Sequence, residues 1–362
     1  MTKFNNSKIF KKYICPNPFM YVELQENGNI NTCCYINHKF GNINKENIKD
    51  IWNNNDFKEL RRSILNGDFS YCDSSRCASM QKVLEKKLSN KSYQIPYELI
   101  LKDEITDISS FKLEQNLPKI ISFDDDQTCN LSCPSCRKTL IIETKEQSEN
   151  KLTKEFQIID ECKNYLEEIW LCGAGDLFAS RTYKKLLTTY DFLQIPNIKI
   201  RIDTNGVLFN EKAWNTTLKK VQNIINVIAI SIDATNEKTY SLIRRGGNFN
   251  TLMDNLYFIS SLKNKKEFIF IIRMIVQNDN FNQMADFIKL GKKLNVDQVV
   301  FSELQNWGTF SHEEYIEKAV HLEKNKNFLK LKKILQDPIF LDPVVNLGNL
   351  TSLFNKVNSE EK

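Results

Sequence analysis

An α/β fold built on a parallel sheet is what this sequence predicts, and two features carry the prediction. From about Leu117 to Phe301, short apolar runs alternate with segments of helical periodicity, the pattern of strands buried on both faces with helices between them. Ahead of that stretch, residues 1–95 hold five of the ten cysteines and little long-range periodicity, so a small cysteine-rich unit precedes the sheet.

The elements follow in order. Residues 1–95 contain one expected helix, Ile48 to Leu65, and residues 96–117 read as a linker, most plainly from Lys102 to Leu117. The larger unit, residues 118–305, opens with the strand Lys119 to Phe123. A helix from Lys154 to Leu166 comes next, with Phe156, Ile159 and Tyr165 on its inner face. Further strands are Ile169 to Cys172, Ile198 to Ile202, Val227 to Ile232, Phe268 to Val276 and Val299 to Phe301, making six. Helical stretches such as Thr182 to Leu193 and Asn280 to Leu290 separate them. Residues 306–362 form a C-terminal helical extension: Ser311 to Glu314 fits a capping box that opens an amphipathic helix through Leu335, and Asn355 to Lys362 are expected to fray.

Bulk properties exclude several classes. A hydrophobic fraction of 41% with 26% charged residues describes an ordinary globular protein, and 362 residues suffice for one large and one small domain. No apolar run reaches the ~18 residues of a membrane span, and the polar start Met1-Thr2-Lys3-Phe4-Asn5 is no signal peptide. Ten cysteines without a secretion signal point to reduced thiols, metal ligands rather than disulfides, and a cytoplasmic location. The net charge of +5 is small and interleaved, which argues against nucleic acid as a partner.

The chemistry concentrates at Thr128-Cys129-Asn130-Leu131-Ser132-Cys133-Pro134-Ser135-Cys136-Arg137, directly after the first strand of the larger unit. Three thiolates leave one iron of a cubane cluster without a protein ligand, an open site of the kind catalysis needs, whereas a structural zinc asks for four. This spacing, placed at a strand's C-terminal end, resembles the radical SAM superfamily. The resemblance implies a partial (β/α)6 TIM-like barrel. It also implies a [4Fe-4S] cluster on Cys129, Cys133 and Cys136, with S-adenosylmethionine on the open iron. Where that family often has an aromatic residue before the last cysteine, this chain has Ser135.

Further strand ends match the same family. Gly173-Ala174-Gly175-Asp176 stands where a Gly-Gly-Glu type motif meets the methionyl amino group, so Gly173, Gly175 and Asp176 are candidate contacts, against a plain β-α turn. Asn205, in Asp203-Thr204-Asn205-Gly206, falls near the expected ribose, and Ser231 and Arg244 near the methionyl carboxylate, with Arg245 as the alternative arginine. Cys172 beside the glycine motif is either a hydrogen-atom donor to a substrate radical or a buried strand cysteine, and Cys162 is expected to be a packed core residue. His38, His312 and His321 show no ligand pairing.

The N-terminal cysteines resemble a SPASM or twitch domain: Cys15, then Gly28, then Cys33, with Cys72 and Cys77 later, plus the runs Gly41-Asn42-Ile43, Ile51-Trp52-Asn53 and Arg61-Arg62. That likeness implies an auxiliary [4Fe-4S] cluster on Cys15, Cys33, Cys72 and Cys77, with Cys34 able to replace Cys33. The same four thiolates also suit a structural zinc. Such a domain usually follows the barrel, and here it comes first. The implied activity is that of an oxidoreductase or maturase, which cleaves S-adenosylmethionine to a 5'-deoxyadenosyl radical that abstracts hydrogen from a substrate. A peptide or protein side chain is the first expectation. Only fourteen residues precede Cys15, too few for a winged-helix leader-binding domain, so a sugar or sugar nucleotide is the alternative. A non-catalytic iron-sulfur or zinc protein is the rival from another class, and a flavodoxin or ferredoxin is the expected electron donor.

Overall fold

The computed structural model of the chain describes residues 7–74, 76–84, 99–102, 105, 111–171 and 174–359. Its strands are β1 (Tyr13–Ile14), β2 (Tyr21–Gln25), β3 (Asn29–Asn31), β4 (Gly41–Asn42), β5 (Ile100–Leu101), β6 (Ile120–Asp124), β7 (Glu168–Leu171), β8 (Lys199–Thr204), β9 (Ile225–Ser231), β10 (Ile269–Val276), β11 (Gln298–Glu303) and β12 (Val345–Asn346). Strands β6 to β11 are the six expected from the apolar runs. They lie side by side in chain order, all parallel, with helices between them.

The sheet does not stop at those six. β2 pairs in parallel with β6, Tyr21 opposite Ile120 and Gln25 opposite Asp124, and the antiparallel β3 and β4 continue beyond it. β12 adds to the other side of β11. Among the described residues the result is one open sheet of ten strands, so the cysteine-rich region is built onto the edge of the β/α unit. The chain before β6 is tied to that region too. Arg61 Nη1 donates to the Leu113 carbonyl at 2.8 Å and Asn53 Nδ2 to the Gln115 carbonyl at 2.8 Å.

The pleat sorts side chains in a way that explains the site. Ile121 and Phe123 of β6, Ile200 and Ile202 of β8, and Ile272 and Met274 of β10 point into the main core under the helices. The alternate residues face the concave side. Some of these are apolar, Tyr21 with Ile120 and Trp170, and Val227 with Ala229, Ile271 and Val300. Towards the C-terminal ends they are polar: Ser122, Asp124, Arg201, Asp203, Ser231 and Arg273.

Several helices differ from expectation. The one anticipated over Ile48 to Leu65 is two, Ile48–Trp52 and Asn55–Asn66, because the Asn54 side chain caps the second by accepting from Phe57 N at 3.0 Å. The helix expected from Lys154 starts earlier, at Lys145, where Thr144 and Gln147 form a capping box, and it ends at Cys162. Tyr165 therefore lies beyond it and is 43% exposed, not on an inner face. The Ser311–Glu314 capping box is present, but its helix stops at Lys318. Asn325 Nδ2 turns back onto the Ile316 and Glu317 carbonyls, and a second helix runs over Phe328–Ile334. The expected frayed end is helical over Thr351–Ser359, with Val357 buried; residues 360–362 lie outside the described residues.

Candidate active site

The cysteine loop leaves β6 at Asp124 and is braced from three directions. Cys129 N donates to the Ile141 carbonyl at 3.2 Å and Ser132 N to the Arg245 carbonyl at 3.0 Å, while Cys136 N and Arg137 N share the Cys133 carbonyl. Arg137 reaches across to the Gln127 carbonyl at 2.6 Å and to the Ala174 carbonyl. Asp176 N donates to the Thr128 carbonyl at 2.8 Å. Gly175 is needed for this closeness: a Cβ there would stand 2.4 Å from the Thr128 carbonyl oxygen and 2.5 Å from that of Asp126.

Cys129, Cys133 and Cys136 open onto a cavity of about 550 Å³ that runs over the polar half of the concave sheet face. The N-terminal cysteines line the same cavity. Among these, Cys72 lies within electrostatic reach of Cys15, Cys33 and Cys77, whereas Cys34 feels Cys33, Glu23 and Asp124. The donors present thus fit two soft-ligand groups, an open set of three thiols and a closed set of four. Among the described residues, no three Cys, His, Asp or Glu side chains converge tightly enough to hold a single metal ion; a cubane distributes its thiolates over separate irons. Burial raises the Cys129 thiol to about 11 and the Cys77 thiol to about 11, and lifts Cys72 and Cys133. Dry thiols of this kind ionise when a bound cationic centre supplies the compensating charge.

The other expected contacts divide. Asn205 lines the cavity, with Nδ2 2.9 Å from Asn130 Oδ1 and 3.8 Å from Cys129 Sγ. Ser231 lines it from the end of β9. Arg244 is the arginine that faces inward, pairing with Asp233 at 2.8 Å and placing Nη1 3.9 Å from Cys133 Sγ. Arg245 is turned outward, clamping the cysteine loop through Ser132 Oγ at 3.1 Å and the Lys138 carbonyl at 2.9 Å. Asp176 sits behind the cavity wall. It is 1% exposed, and its carboxylate accepts from Thr204 Oγ1 at 2.6 Å, Asn205 N at 2.8 Å and Phe178 N at 3.0 Å. It braces two strand ends from within and does not line the cavity. Cys172 and Gly173 lie outside the described residues. Cys162 is fully buried in the core, as its helix position implied.

Reading the sequence missed the charged floor of the cavity. Asp203 accepts from Arg201 Nε at 2.7 Å and pairs with Arg273, and the Arg201 guanidinium lies 4.3 Å above the Trp170 ring. Burial raises the Asp203 carboxyl, but the two guanidiniums outweigh it and hold the group below the usual carboxylate range. The signal was available: Arg273 is the lone cation in the apolar run Phe268 to Val276.

Comparison with known proteins agrees with this geometry. Residues 127–291 match the model of the radical SAM superfamily, and residues 15–78 match that of SPASM, an iron-sulfur cluster-binding domain. A curated relative, GTP 3',8-cyclase of Limosilactobacillus fermentum, is 32% identical over 142 residues, which is 39% of this chain. The chain spans only 40% of that relative's length. Among solved structures, Streptococcus suis SuiB bound to S-adenosylmethionine aligns at a TM-score of 0.43 with 13% identity, covering 65% of this chain and 52% of that one. Native anSMEcpe with bound AdoMet and Cp18Cys peptide aligns at 0.38 with 17% identity, covering 62% of each. At these scores neither likeness bears on what the chain does. The two matched models lie on the two cysteine sets that meet at the cavity, the radical SAM model over Cys129, Cys133 and Cys136 and the model of the iron-sulfur cluster-binding SPASM domain over Cys15, Cys33, Cys72 and Cys77.

Proposed function

We propose that the chain is a radical SAM oxidoreductase or maturase whose substrate occupies the cavity between two cysteine sets. The observation that carries this reading is that Cys129, Cys133 and Cys136 share one cavity with the thiols of the SPASM region. In this reading the loop thiols hold a [4Fe-4S] cluster with S-adenosylmethionine on its open iron, and Cys15, Cys33, Cys72 and Cys77 hold the auxiliary cluster. With both bound, the site supplies one-electron cleavage of the sulfonium and a 5'-deoxyadenosyl radical that takes a hydrogen atom from the substrate.

The chain's own residues bind and orient. Arg244, next to Cys133 and fixed by Asp233, suits the methionyl carboxylate because a guanidinium can meet it with two parallel bonds. Asn205 and Ser231 offer hydrogen bonds from adjoining strand ends. Asp176 holds the Asn205 backbone in place from behind. Cys33 is the better fourth ligand of the auxiliary set, since the Cys15, Cys72 and Cys77 thiols all lie within electrostatic reach of it. The external electron source is a flavodoxin or ferredoxin.

A peptide side chain is the first substrate class, on the strength of the SPASM domain, because enzymes that carry one often act on peptides. A small molecule is the second reading, and the local likeness to GTP 3',8-cyclase favours it. The test is anaerobic reconstitution, iron and sulfide counts, then dithionite with S-adenosylmethionine. About eight irons per chain with release of 5'-deoxyadenosine is the expected result. About four irons with 5'-deoxyadenosine would return the N-terminal set to the zinc reading. A fully loaded protein that forms none, alone and with candidate peptides, refutes the proposal in favour of a binding protein.

A further inference from the structure

Glu303 ends β11 with its side chain on the cavity wall. Other carboxylates of that wall have partners within the chain. Asp203 lies between Arg201 and Arg273, Glu23 accepts from Gln25 Nε2 at 2.7 Å, and Asp124 accepts from Ser122 Oγ at 3.2 Å. Among the described residues, no hydrogen bond or ion pair reaches the Glu303 carboxyl. Its amide donates to Asn349 Oδ1 at 2.9 Å, which fixes the backbone without satisfying the side chain. The nearby Tyr315 hydroxyl is engaged elsewhere, donating to the Leu304 carbonyl at 2.9 Å. Burial pushes the Glu303 carboxyl up to about 7 with no donor to oppose it.

Glu303 is half-buried, and a carboxyl partly withdrawn from water without a donor is destabilised relative to one in bulk solvent, so a cation that enters the cavity it faces can satisfy it. Tyr35 and Trp307 also line the cavity, and the chain's own Arg76 guanidinium already covers the faces of both rings, at 5.3 and 5.4 Å, so the acceptor that stays open to an incoming cation is the Glu303 carboxyl.

We infer that Glu303 is a substrate-contacting residue that receives a cationic group, an ammonium or a guanidinium, of a molecule held between the two cysteine sets. The inference rests on the cavity being the substrate site, as proposed above. No bond is made or broken in this contact. The N–H donors of the cation meet the carboxylate oxygens, and substrates that lack the cation lose a charge-assisted hydrogen bond and leave the carboxyl unsatisfied. Glu303 thereby selects for amine- or guanidine-bearing substrates over neutral ones of the same shape.

The test reads binding, not turnover. The full chain, reconstituted with both clusters and S-adenosylmethionine, is titrated with n-butylammonium, n-butylguanidinium and neutral n-pentanol, observed by NMR of the ligands. We expect at least one cation to bind about ten-fold more tightly than pentanol. The preference should fall to within about two-fold in Glu303→Gln and survive in Glu303→Asp, which keeps the charge. Equal binding of cations and pentanol by the natural protein overturns the inference, as does no cation binding at all, or a preference that persists in Glu303→Gln. If the Gln variant fails to load iron, the comparison of cations with pentanol on the natural protein still decides. Cation preference without 5'-deoxyadenosine would defeat the proposed activity and leave this contact standing, and the reverse result would do the opposite.

Discussion

Replacing Gly175 by alanine tests how the cysteine loop is held. The new methyl carbon would sit 2.4 Å from the Thr128 carbonyl oxygen, 2.5 Å from the Asp126 carbonyl oxygen and 3.0 Å from the Gln127 carbonyl carbon. All three are backbone atoms, so no side-chain rotation relieves the clash. The loop must retreat about 1 Å to restore ordinary contact. That retreat stretches the Asp176 N to Thr128 O bond, now 2.8 Å, beyond hydrogen-bonding range. Overpacking costs about 1–3 kcal/mol and the lost bond about 1 kcal/mol more. The penalty falls on the segment that carries Cys129 and Cys133, away from the N-terminal cysteines. Iron in the reconstituted variant should therefore drop from about eight to about four per chain, and 5'-deoxyadenosine should vanish. The assay is iron and sulfide analysis with electron paramagnetic resonance of the reduced protein, with and without S-adenosylmethionine. A variant with full iron and an unchanged response to S-adenosylmethionine would refute the claim that the bare Gly175 backbone positions the loop.

Other perturbations separate the parts of the site. Cys133→Ala should abolish 5'-deoxyadenosine formation while keeping about four irons, whereas Cys72→Ala should lower iron by roughly half through loss of the auxiliary set; unchanged iron in the latter sinks the auxiliary-cluster assignment. Asp203→Asn removes the carboxylate between the buried Arg201 and the half-buried Arg273 and should destabilise the protein by about 3–5 kcal/mol in urea unfolding, a value under about 1 kcal/mol counting against the ion cluster. Because the folded state holds Asp203 below its ordinary value, its contribution is full above the unfolded pKa and lost on acidification through the folded one. The natural protein should weaken below the ordinary carboxylate range, and Asp203→Asn should show a shallower acid slope in melts. Glu303 has the opposite sign: its carboxyl, raised to about 7, makes stability decline as pH climbs from about 4.5 to 7. Glu303→Gln should flatten that decline and gain about 1–3 kcal/mol at pH 8; an unchanged profile would show that the carboxyl is not buried as described.

Local chemistry was legible because it is local. The three-thiol loop needs only its own spacing and the strand before it, and both are contiguous in the chain from Lys119 to Cys136. The six parallel strands were visible for a similar reason: each is a short apolar run, and the pleat demands nothing from distant residues for that pattern to appear. Capping chemistry was readable where a box is complete, as at Ser311 and Glu314. Where that helix ends was not, because a distant side chain, Asn325, takes its last carbonyls.

Contacts across the fold were decided only in three dimensions. The choice between Arg244 and Arg245 turns on which side of one helix end faces Cys133, and adjacent residues of one type cannot reveal that in one dimension. Asp176 stands beside its glycines in sequence, and the groups that donate to its carboxylate, Thr204 Oγ1 and Asn205 N, come from the end of another strand. The pairing of β2 with β6 joins residues about a hundred positions apart, so a linear reading separates regions that one sheet unites. The sequence by itself determined the thiols, their spacing and the strands that present them, since these are properties of neighbours along the chain. The tertiary structure decided which charges meet, that the two cysteine sets share a cavity, and that Glu303 faces it without a partner among the described residues, because those depend on distances that the chain order does not contain.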